Sequence, residues 1–346
     1  MQVFSATQSI SPAVERTKSL LFRPFRWRTF LKLCAAALFT EGYTGSFNYS
    51  NSHRTSHFQT ASAHLHFTPA MAAVLVAVGL LALVLAVAIL YLMVRLRFAL
   101  FECLIRQSTL IKPGWSLYRA QARRFFLLCI AVGLVFVVVL IAVALPFVFG
   151  FLRLFRDYHS GDHFPVAGFF SLLLPLIPLI LLLLLAGIVI DIVLRDFMLP
   201  HIALDNATVG QAWAAVRASL AHEKGEFLLY AVLRVFIPLF VCIAILVALI
   251  IPCAIVFGAL ALLMVGLGAA MTHAAGAEAV FFGFSAGLTG LVIMALALLV
   301  AISFFGPVCI SLRNYALVFY GGRYPALGGA LWPQSPPPAQ IVPGVA

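Results

Sequence analysis

Residues 166–190 read VAGFFSLLLPLIPLILLLLLAGIVI, a run without one charged side chain that ends abruptly at Asp191. About 20 apolar residues carry a helix across the hydrocarbon core of a bilayer. Lipid offers the backbone no hydrogen-bond partner, so a run of this length must satisfy its own N–H and C=O groups as a helix. Four more charge-free runs, 70–94, 126–150, 235–270 and 279–312, are as long or longer. The fold class that follows is all-α, a polytopic transmembrane helix bundle. Its expected home is the cell inner (cytoplasmic) membrane, crossed many times.

Composition agrees. The 346 residues are 64% hydrophobic and 10% charged, whereas a soluble domain is about half apolar and about a quarter charged. A water-soluble catalytic domain of ordinary size is therefore excluded. The net charge of +11 comes from basic residues that flank the apolar runs, where they record orientation and attraction to anionic head groups. Membrane lipids are the expected partners, with a protein partner at the cytoplasmic face, and nucleic acid is not expected. The six cysteines form no C-x-x-C pair, which argues against a disulfide or zinc framework.

The chain divides into three stretches. Residues 1–68 hold an N-terminal amphipathic helix, a short candidate span and a polar, His-rich outer loop. Ser11-Pro12 opens that helix, and Ala13, Val14, Thr17, Leu20 and Leu21 share one face. Phe25-Arg26-Trp27-Arg28 follows, the chemistry of an interfacial anchor, and 30–42 is apolar enough to cross. Residues 69–325 form the transmembrane domain. Residues 326–346 form a Pro-rich tail expected to be disordered. Because 235–270 is about 54 Å long as one helix at about 1.5 Å per residue, and Pro252 lies near its middle, two helices are expected there, 228–250 and 253–270. The count is six to seven spans.

Segment 95–125 carries Arg95, Arg97, Arg106, Lys112, Arg119, Arg123 and Arg124 against Glu102 alone, so it faces the cytoplasm. Loop 151–165 is balanced and faces out. Cytoplasmic surface helices are expected at 98–124 and 207–223. The exits also repeat: Leu96-Arg97-Phe98, Leu194-Arg195-Asp196-Phe197 and Leu312-Arg313-Asn314-Tyr315 each follow an apolar run. Trp115 and Trp213 precede the two re-entries. An internal repeat of about 100 residues is read from them, as is common among duplicated membrane proteins.

Ile10-Ser11-Pro12-Ala13-Val14-Glu15-Arg16-Thr17-Lys18, Leu96-Arg97-Phe98, and Asp196-Phe197-Met198-Leu199-Pro200 with Gln211-Ala212-Trp213 resemble a family of uncharacterised bacterial multi-pass membrane proteins. The resemblance spans most of 9–325. More distantly the chain is similar to the membrane domain fused to some glycerophosphodiester phosphodiesterases. It carries no phosphodiesterase domain, so the resemblance implies a fold and no reaction.

Few residues offer chemistry. Gly283-Phe284-Ser285-Ala286-Gly287 matches a nucleophile elbow, but that motif needs a strand-turn-helix corner and a histidine partner. A small-residue packing face is the expectation instead. His53, His57, His64 and His66, with His159 and His163, are the candidate metal ligands, since imidazoles at such spacings suit zinc or copper. No catalytic residue and no cofactor is assigned, and the chain is not expected to be an enzyme. Charges beside apolar runs are informative. Asp191 is expected to pair with Arg234 across helices, or with Arg195 along one, as a structural ion pair. Glu41 and Glu278 read as interfacial. The expected function is that of a membrane scaffold or accessory component. A small-solute transporter or channel is the alternative.

Overall fold

The computed structural model describes residues 3–41, 69–159, 166–273 and 276–333, and their regular structure is helical throughout. Two short helices lead, α1 (Ile10–Phe22) and α2 (Trp27–Glu41). Then come α3 (Pro69–Ile105), α4 (Ile111–Leu117), α5 (Arg119–His159) and α6 (Val166–Ile192). A π-helical turn over Val193–Met198 joins α6 to α7 (Leu199–Leu204). The chain closes with α8 (Val209–His222), α9 (Lys224–His273), α10 (Ala277–Gly321) and α11 (Pro325–Leu331). Five helices are long and apolar enough to cross a membrane: α3, α5, α6 continued into α7, α9 and α10.

Three expectations about boundaries are corrected. The chain does not break at Pro252: α9 runs continuously through both Pro238 and Pro252, about 75 Å at about 1.5 Å per residue. A proline costs one backbone donor and a clash with the carbonyl four residues back. Ending a helix in an apolar phase would strand several donors and acceptors, so continuation wins. Nor is 98–124 a single surface helix: it holds the end of α3, the short α4 and the start of α5. The apolar run of α3 continues through Arg95, Arg97 and Glu102 to Ile105, because charged residues do not stop a helix. Gln107, at φ 50°, turns the chain. Likewise α5 continues through Arg153 and Arg156, into the stretch read as a loop.

The start of α8 agrees with its sequence. Thr208 accepts from the Gln211 amide, and the Gln211 side chain accepts from the Thr208 amide, a capping box. Near the end, α11 buries Leu327 and Leu331 within the stretch read as tail. The remainder, 334–346, lies outside the described residues.

The chain forms two compact units interleaved in sequence. One holds Phe4–Trp115 and Val232–Phe319, the other Ser116–Ala231 and the chain from Tyr320 onward. Along the long helices burial is confined to one end. It is the C-terminal end of α3 (Met93 to Ile105), the N-terminal end of α5 (Ala122, Phe125) and the C-terminal end of α6–α7 (Ile192 to Ala203). It is then the N-terminal end of α9 (Phe227, Tyr230) and the C-terminal end of α10 (Ile310 to Tyr320). Their most apolar windows are wholly unburied, which in water would be ruinous and in lipid is the resting state. Among the described residues the glycines of the Gly283–Gly287 motif make no tight seam: a Cβ at Gly287 would meet none of them within 4 Å, and one at Gly283 would meet Met271 at 3.7 Å.

Candidate functional site: polar clusters at the buried helix ends

In the first unit the cluster grows from α1 and α2. Thr17 and Thr40 turn their hydroxyls back to the carbonyls of Ala13 and Ala36, one turn earlier. Thr17 also accepts a 2.9 Å hydrogen bond from the Asn314 amide. Arg16 donates to the carbonyls of Leu104 and Ile105 at 3.0 and 3.4 Å, so a cation meets the unsatisfied C-terminal end of α3, where helix partial charge is negative. Arg97 donates to the Thr40 carbonyl at 3.1 Å. Arg95 stacks on the Trp115 ring at 4.2 Å and donates to its carbonyl at 2.7 Å. Arg234 meets Glu41 at 3.2 Å, both side chains at most 10% exposed.

The second unit is built on the π turn. Pro200 has no N–H for the Asp196 carbonyl, and the register widens here, with the Leu199 amide donating to Leu194. The result aims Arg195, Asp196 and Phe197 inward, all at most 3% exposed. Phe197 sits among Phe227, Tyr230 and Tyr320, with ring centroids 5.1, 5.4 and 5.1 Å away. Tyr230 donates to the Asp196 carboxylate at 2.8 Å, and Arg323 meets Glu223 at 2.6 Å. His201 Nε2 lies 2.8 Å from the Tyr320 hydroxyl, its Nδ1 is 3.7 Å from Asp205, and its ring leans on Tyr324 at 4.1 Å. Tyr324 donates to Asp205. Burial first, and then that carboxylate, raise the Tyr324 phenol above its ordinary value, so it remains the donor at neutral pH.

Replacing Tyr230 with phenylalanine keeps the ring and removes one donor from a buried carboxylate. The expected loss is about 1.5–3 kcal/mol, the range for hydrogen bonds to charged groups. It would be read as a lowered unfolding midpoint in detergent. An unchanged midpoint would mean that Asp196 does not depend on this donor.

The residues singled out from sequence are distributed as follows. Asp191 lies 2.6 Å from Arg195, the along-helix partner, and Arg234 is held by Glu41. Glu41 is therefore buried rather than interfacial, because α2 packs its C-terminal turn against α3 and receives Arg97 there. Ser285 donates to the Phe281 carbonyl at 2.9 Å within α10, so the elbow-like motif has neither the corner nor the free hydroxyl that attack requires. His53, His57, His64, His66 and His163 lie outside the described residues. His159 ends α5. Among the described residues no three His, Cys, Asp or Glu side chains converge as a metal site.

Sequence reasoning missed the His201, Asp205, Tyr320 and Tyr324 set. Its only trace is the four-residue spacing of each pair, which puts both members on one helix face.

No curated protein matches the chain, and no solved structure does. Residues 4–329, nearly the whole chain, match the family described as "Family of unknown function (DUF7544)", and the chain belongs to that family.

Proposed function

We propose that this is a non-enzymatic membrane scaffold or accessory component, whose basic cytoplasmic face contacts anionic lipid or a protein partner. One observation carries it: the buried polar groups lie at the helix ends, while the runs 70–94, 126–150, 166–190, 235–270 and 279–312 of the five long helices hold no charged residue. Beside the first cluster, Phe22, Phe25 and Trp27 are about half exposed, and Arg23, Arg26 and Arg28 alternate with them. Rings and cations in that alternation suit a membrane interface or an acidic partner. A solute pathway needs polar groups at midplane depth, which speaks against the transporter alternative.

A topology follows. The buried ends alternate between the C- and N-termini of successive long helices, so five single crossings bring those ends to the side of the basic segment 95–125. Arg16 is tied to the C-terminal end of α3, which puts α1 on that same side. The start of α1 and the C-terminal end of α10, joined by Thr17 and Asn314, then both lie at the cytoplasmic border, and the three Arg-aromatic exits recur there as a duplicated unit. Cysteine labelling of intact cells should find both termini protected; a labelled C-terminus would overturn this placement.

The function is tested by extracting the full chain in polymer-bounded native lipid and identifying what travels with it by mass spectrometry. A stoichiometric protein or an enriched anionic lipid is expected. Bulk-composition lipid with no protein, together with solute flux in reconstituted vesicles, would replace the scaffold with the transporter.

A further inference from the structure

A groove of about 370 Å³ runs beneath α1, a size at the lower end of ordinary ligand sites, about 300–1,000 Å³. Its floor and walls come from three helices of one unit. From α1 they are Ile10, Ala13, Val14, Thr17 and Lys18, spaced as one continuous face; α9 adds Ile237 and Val241, and α10 adds one face of the stretch between Pro307 and Tyr315. The lining is almost wholly hydrocarbon. Thr17 is already engaged by Asn314, so it has little to offer a guest. Lys18 is the charged side chain of the lining, and it is exposed at the rim.

We propose that this groove holds an acyl chain of an anionic phospholipid, with the Lys18 ammonium on its phosphate. This deepens the lipid side of the function proposed above. A polar solute would leave its groups unpaired against such walls. Both α9 and α10 are among the helices fit to span the membrane, so the groove borders on the phase that supplies acyl chains. The neighbourhood gathers anionic lipid, since between Ile10 and Lys32 the chain carries Arg16, Lys18, Arg23, Arg26, Arg28 and Lys32 against Glu15 alone, and Lys18, the charged member of the lining, sets the preference inside the groove. Val14 and Val241, at 37% and 38% exposure, leave a way in from the side.

The test is native mass spectrometry of the full chain in detergent, with phosphatidylglycerol and phosphatidylcholine offered at equal concentration. The parent should retain phosphatidylglycerol about fivefold better, the weight of one cation near an anionic surface. Lys18→Gln should reduce that preference to parity and leave phosphatidylcholine retention unchanged. Val241→Trp, which fills the groove from its wall, should lose both lipids. Phosphatidylglycerol bearing a photoreactive acyl chain should label peptides containing Val14 or Val241 in the unaltered protein. Labelling spread evenly over α3 and α5, or Val241→Trp retaining lipid as the parent does, would overturn the site. Those results would leave the scaffold standing, since its partner and its topology are read by separate measurements.

Discussion

A Glu41→Leu protein should unfold at a midpoint well below that of the parent, with a loss of about 3–5 kcal/mol, the range seen when one partner of a buried ion pair is removed. The reason is asymmetry. Glu41 and Arg234 are 6% and 10% exposed as side chains, so deleting the carboxylate takes from a guanidinium that stays out of bulk water the counter-charge it faces at 3.2 Å. Removing both charges is a different experiment. The Glu41→Leu, Arg234→Leu double variant should recover most of the loss, because well-packed apolar replacements of buried pairs are often neutral. If Glu41→Leu alone proves neutral, the pair does not hold α2 to α9.

Gly306→Val should be comparably harmful, for a steric reason. A Cβ at position 306 would lie 2.8 Å from the Cys34 Cα and 3.0 Å from its carbonyl oxygen. Those are backbone atoms, so no side-chain rotation relieves the contact, and α2 must move away from α10. Overpacking of this kind costs about 1–3 kcal/mol or more, read as a fallen midpoint. Cys34→Ala in the same background should not rescue it, because the offending atoms remain. Rescue would show that the thiol, and not the backbone, sets the approach.

The long apolar helices were legible because absence of charge over twenty or more residues is a one-dimensional property. The α9 break was misjudged because the weight of a proline depends on the solvent around it: in water Pro252 argues for an end, in lipid for continuation. The clusters were mostly illegible. Glu41 and Arg234 stand 193 residues apart, and His201 and Tyr320 stand 119 apart. Nothing local in the sequence announces such meetings. Asp191 was half legible, since its partner Arg195 is one turn away, and helical geometry alone brings them together. The exits at Arg97, Arg195 and Arg313 were noticed as a pattern, yet their burial, 9%, 3% and 2% exposed, ran against the usual expectation for arginine at a membrane border.

Because each long helix carries its buried residues at one end, the opposite end is held by looser contacts, such as Phe151 against Phe169 at 5.9 Å. A bilayer a few Å thinner or thicker can then be matched by swinging the apolar shafts, while Glu41 with Arg234 and Asp196 with Tyr230 stay in place. Such a protein tolerates membranes of varied thickness and keeps its inner contacts constant, as a hinge keeps its pin while the leaf turns.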